Sequence, residues 1–194
     1  MKAPIKLLVP NVTWADLRRM FVLAAMGAIL AGIYGVAHDQ LTFTLAPEYF
    51  TQLKFAQFEW ASWGLPPRGF VAQIGFLATW WVGFFGTWFF ARLAAPRLNP
   101  TTTLTRACAR LWATLVVCAV AGGALGFWLG PHYYLTSPEW IETLRSIQLS
   151  EPVAFAQVAG IHLGGYLGAV GGWLWAIFRI AKSHPTSPKL RHDD

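Results

Sequence analysis

Met20–Val36, MFVLAAMGAILAGIYGV, is an uncharged apolar run entered from Arg18-Arg19. As a helix it rises about 1.5 Å per residue, which brings it close to the roughly 30 Å of a bilayer's hydrocarbon core. A helix on the surface of a soluble domain keeps a polar face, and this run has none. Three more stretches read alike. They are Gly69–Ala91, bracketed by Arg68 and Arg92, then Leu111–Gly130, entered from Arg106 and Arg110, and Val153–Ile180, with Arg179 and Lys182 at its exit. None contains an acid or a proline. Only 12% of the 194 residues are charged, about half the share usual in soluble domains. The expected fold is an all-α membrane protein, one transmembrane domain with spans at 20–36, 69–91, 111–130 and 153–180.

The charges around those runs give an orientation. Lys2, Lys6, Arg18 and Arg19 precede the first span, Arg92, Arg97, Arg106 and Arg110 lie between the second and third, and Arg179, Lys182, Lys189 and Arg191 follow the fourth. The other two loops hold only Lys54, Arg68 and Arg145, with six of the nine acids. Basic loops stay in the cytoplasm, so both termini are expected there. The net charge of +6 then reflects topology and implies no nucleic-acid partner. Trp14, Tyr34, Trp60, Trp63, Trp128, Tyr133, Tyr134 and Trp140 cluster near span ends, as an interfacial belt does. Thr13 and Asp16 read as the capped start of a short interfacial helix, and the polar, proline-containing 183–194 as a disordered cytoplasmic tail. Gly35-Val36-Ala37 has the small-residue spacing of a signal-peptidase site; the repeat described next argues against cleavage. Cys108 and Cys118 match neither a disulfide framework nor a zinc signature.

Each external loop opens on a histidine and continues alike. His38-Asp39-Gln40-Leu41-Thr42 precedes Pro47-Glu48-Tyr49-Phe50, then Leu53-Lys54 and Gln57; His132-Tyr133-Tyr134-Leu135-Thr136 precedes Pro138-Glu139-Trp140-Ile141, then Leu144-Arg145 and Gln148. Omitting Phe43–Leu45 aligns the two with seven of eighteen positions identical. A two-span hairpin written twice, at about 20–92 and 111–180, would account for this. Proline followed by glutamate starts a helix well, and the apolar residues after each pair recur at helical spacing. Short amphipathic helices on the outer face are therefore expected.

His38, Glu48, His132 and Glu139 are candidate metal ligands, because two imidazoles and two carboxylates suit zinc, iron or manganese. Asp39 joins them as part of a ligand-binding vestibule or a proton relay. The competing reading is that the histidines end helices and the glutamates serve helix starts. His162 lies well inside the fourth span, where an ionisable side chain is a functional candidate by default; a neutral imidazole bonded to Tyr34 or Thr79 is its structural alternative. An axial ligand to haem or a chlorin is a lesser reading, since a b-type haem wants a second histidine at matching depth. Gly160, Gly164, Gly168 and Gly172 in the fourth span, and Gly122, Gly126 and Gly130 in the third, recur every four residues, the spacing that lets helix backbones approach closely.

The string His38-Asp39-Gln40-Leu41-Thr42 followed by Pro47-Glu48-Tyr49-Phe50-Thr51 resembles a motif, roughly HDQ-[VL]-T…PEYFT, of a family of bacterial integral membrane proteins. The resemblance implies a bacterial cytoplasmic-membrane protein and carries no activity with it. No P-loop, dinucleotide fingerprint or hydrolase motif is present. Three functions stay open: binding or conducting a metal, proton or small ligand through the external His/Glu site; an accessory subunit of a homo-oligomer or larger membrane complex; and an enzyme acting on a lipid or quinone.

Overall fold

The computed structural model describes residues 14–98 and 103–182, so the N-terminal lysines, Thr13 and the tail lie outside the described residues. The fold is all-α: 91% of the described residues are helical, and no strand occurs among them. The long helices are α1 (Trp14–Leu45), α2 (Pro67–Ala94), α3 (Leu104–Thr136) and α5 (Pro152–Lys182), with the short α4 (Pro138–Ser146) before the last. All four long helices have the length and hydropathy to cross a bilayer, which makes this a multi-pass membrane protein.

Each helix outruns its apolar stretch. Among the described residues α1 runs from Trp14 as one piece with the span and continues through His38 to Leu45. Polar residues sustain that extension: the Thr42 and Thr44 hydroxyls donate back to the His38 and Gln40 carbonyls, both at 2.9 Å, while Asp39 and Thr42 turn inward and are buried. α3 likewise passes through Pro131 to Thr136. A proline deletes one helical N–H and crowds the preceding turn, and here the Ser137 hydroxyl donates back to the Tyr133 carbonyl at 2.7 Å as the helix ends. The histidines expected to open loops are therefore both helical.

Glycine seams weld the helices into two hairpins. A methyl group at Gly126 would collide with the Gly160 carbonyl, one at Gly122 with that of Gly164, and one at Gly130 with that of Ala156. Gly168 lies against the Cys118 carbonyl and Gly172 against the Cys118 side chain, so the seam runs the length of the α3–α5 contact. The first hairpin uses the same device, with Gly27 against Gly83 and Gly35 against Gly75, and between them the Thr79 hydroxyl donates to the Ala31 carbonyl at 2.8 Å. Outward from the seams stand Phe21, Ile33, Trp81, Phe85, Val117, Leu125, Leu167 and Trp175, all about half exposed or more. In water that surface would aggregate; in a bilayer it is the lipid-facing wall.

The two hairpins meet mainly at their ends. Met20, Leu23, Phe90, Ala91, Ala107 and Leu111 form one core near the termini. Tyr49, Phe50, Val71, Tyr134, Leu144, Phe155 and Val158 form the other, at the end that carries 46–66 and 137–151 and is called the turn end below. Beside the first core, the Trp112 and Trp173 indole N–H groups donate across the joint, to the Thr87 hydroxyl at 3.1 Å and the Gly86 carbonyl at 2.9 Å. The candidate site lies on the same joint, beside the turn-end core.

Candidate metal centre

His162 is 4% exposed and Asp39 6%. They come from different hairpins, and Asp39 Oδ1 stands 3.3 Å from His162 Nε2. The other ring nitrogen, Nδ1, lies 2.9 Å from the Val158 carbonyl one turn earlier on α5. A carbonyl only accepts, so Nδ1 carries a proton and donates it, which points Nε2 at Asp39. A hydrogen bond between Nε2 and the carboxyl then needs one more proton, held by either partner. His38 completes the group. Its ring meets that of His162 edge to face, with centroids 4.7 Å apart, and one ligand atom each from His38, Asp39 and His162 lie within 4.8 Å of one another.

The length of α1 explains why His38 reaches so deep. Leu45 lies seven residues beyond it, so His38 sits about 10 Å below the end of its helix, while His162 is about 15 Å below the start of α5. The helix does not end near Val36, and His38 is one of its residues, packed against α5. Tyr34 and Thr79 are not the partners of His162: Tyr34 packs against His38, with centroids 5.7 Å apart, and Thr79 bonds within its own hairpin. The contact between the two histidine rings also leaves no gap for a macrocycle, so a haem or chlorin held between them does not fit.

The segment after Pro47, expected as a helix on the outer surface, walls the site instead. After Pro47–Tyr49 the chain makes a π-helical turn over Phe50–Lys54, a geometry that often marks functional sites. Tyr49, 5% exposed, lays its ring on His162 at 4.7 Å and 32° and meets Phe155 at 5.3 Å. Burial holds the Tyr49 hydroxyl well above the usual phenol range. Lys54 reaches back over the Tyr49 ring, 5.8 Å from its centroid. Burial pulls its ammonium below the usual lysine range, and attraction to Asp39 partly restores it.

The ligand set expected from the repeat, His38, Glu48, His132 and Glu139, is not the one this fold assembles. Among the described residues His38, Asp39 and His162 are the only such group of histidine, cysteine and acidic side chains. His132 and Glu139 are exposed, Glu139 in the first turn of α4. The Glu48 carboxylate instead accepts the backbone N–H groups of Ser150, at 3.0 Å, and Glu151, at 2.9 Å. Those two bonds hold its carboxyl below the usual range. A depressed acid contributes stability above its unfolded pKa and loses it as the pH falls through the folded value. Acid unfolding followed by tryptophan fluorescence should therefore lose part of its carboxylate-range limb in Glu48→Gln. No family model, curated protein or solved structure matches the chain.

Proposed function

We propose that this chain is a bacterial inner-membrane protein, termini in the cytoplasm, whose His38, Asp39 and His162 bind one divalent first-row transition-metal ion near the outer face. The convergence of these three donors at a buried point, two imidazoles and a carboxylate within 4.8 Å, carries the reading. That donor set suits zinc, iron(II) or manganese and is too nitrogen-rich for calcium or magnesium. Ligand atoms around a tetrahedral ion with bonds of about 2.0–2.1 Å are about 3.3 Å apart, so the site closes on an ion by a contraction of at most about 1.5 Å. The Val158 carbonyl supports the reading further: a metal-binding histidine commonly donates its second ring N–H to such a group, which fixes the tautomer. Three protein ligands leave at least one coordination position open, the arrangement of exchangeable and catalytic sites rather than closed structural ones.

A second reading rests on the His162–Asp39 bond, which holds a proton between two hairpins and would serve a proton relay. Metal analysis separates the two. Full-length protein purified in mild detergent and equilibrated with zinc, manganese or iron(II) is expected to retain one ion per chain. His38→Ala and His162→Ala should lose it, and His132→Ala should keep it. Parent protein without bound metal, or undiminished metal in His38→Ala/His162→Ala, would overturn the metal reading.

A further inference from the structure

We infer that Glu48 is a positioning residue for this site: gripping the start of α5 from the other hairpin, it sets the depth at which His162 meets Asp39. The inference rests on the metal-site reading above. The residue capping a helix start is normally its immediate neighbour. Here the acceptor comes from 102 and 103 residues away, and it takes the two N–H groups just ahead of Pro152, which has none of its own. Its carboxylate oxygens divide between successive residues, so the bond pair fixes position along the α5 axis as well as contact.

Two cross-links then close a ring. From Ser150 and Glu151, just ahead of it, α5 runs rigidly to His162, about 17 Å away. His162 meets Asp39, and from Asp39 the chain follows the end of α1 back to Glu48. The His162–Asp39 separation is 3.3 Å, and a contact of about 3.6 Å is no longer a hydrogen bond. A slide of α5 by a fraction of one residue's rise would therefore part them. The same grip seats Tyr49, the next residue, whose ring backs His162. Glu139 occupies the matching place in the second sequence copy but stands exposed at the start of α4. It is the natural control.

The test uses full-length protein in mild detergent with two readouts. One is zinc affinity by competition with a chromophoric chelator. The other is the ring-nitrogen NMR signal of His162 in metal-free, histidine-labelled protein, assigned by its loss in His162→Ala. Glu48→Gln keeps the size of the side chain but removes one of the two acceptors. It is expected to weaken zinc binding about 10-fold or more, as loss of a supporting contact does, and to move the His162 signal while the His132 signal stays put. Glu48→Asp, which keeps the charge at shorter reach, should recover part of both effects, and Glu139→Gln should change neither. An unmoved His162 signal in Glu48→Gln, or unchanged zinc affinity, would overturn the inference. If the parent binds no zinc, the metal reading fails, and the His162 signal alone decides whether Glu48 positions it.

Discussion

Gly126→Val is expected to cost the protein its second hairpin. A Cβ at Gly126 would run into the carbonyl oxygen and carbon of Gly160 and the backbone nitrogen of Ile161. No rotamer change relieves this, because every clashing atom belongs to the backbone of α5. Relief requires the helices to separate, and lateral separation forfeits the packing that holds apolar helices together where lipid competes on equal terms. Overpacking a core ordinarily costs about 1–3 kcal/mol. A backbone-to-backbone clash should exceed that and take up much of a net stability of about 5–15 kcal/mol. The paired control is Gly171→Ala. Nothing lies within 4 Å of a Cβ at Gly171, so the change should be neutral or stabilise by up to about 1 kcal/mol through helix propensity. Thermal unfolding in detergent, followed by circular dichroism and size exclusion, separates the two. A Gly126→Val protein that melts with the parent would show that the seam is not a close backbone contact.

That seam was half legible in the sequence. The glycines of α3 and α5 announce themselves by four-residue spacing, whereas in the first hairpin Gly27 and Gly35 are eight residues apart, as are Gly75 and Gly83. Ala31 and Thr79 fill the middle positions, and a hydroxyl that bonds the facing carbonyl is a small residue in effect though not in appearance. The spans were legible because hydrocarbon demands uninterrupted apolar length. Their ends were not, because hydropathy marks where apolar side chains stop and not where helical hydrogen bonding stops. His38 and Asp39 looked like the first residues of a loop for this reason. Aligning the His38 and His132 segments requires omitting Phe43–Leu45, and those residues were the missed signal: they carry α1 nearly one turn, about 4.5 Å, further past its histidine than α3 runs past His132. The histidines of the two aligned segments therefore lie differently. His38 reaches His162, and His132 remains exposed.

The sharpest separation of fold from function is expected at Asp39, through two substitutions with opposite consequences for the bond to His162. Asp39→Ala leaves His162 Nε2 buried without a partner. Breaking one side of a buried pair costs about 3–5 kcal/mol, so this variant should melt well below the parent and bind no metal. Asp39→Asn should behave otherwise. With Nδ1–H of His162 committed to the Val158 carbonyl, Nε2 of the neutral ring is an acceptor, and the side-chain amide that this change introduces can donate to it. The bond across the joint survives in neutral form, and the melting temperature should stay within a few degrees of the parent's. The carboxylate ligand is nevertheless gone, and an amide neutralises no charge on a bound cation. Loss of a supporting contact alone costs about 10–100-fold in metal affinity, so loss of the carboxylate should cost at least about 100-fold. Melting curves beside zinc titrations of the two variants read this directly. If Asp39→Asn bound zinc as the parent does, Asp39 would be a structural partner of His162 and not a ligand. If it unfolded as Asp39→Ala does, the pair would be held by charge, imidazolium against carboxylate, with the shared proton resting on His162.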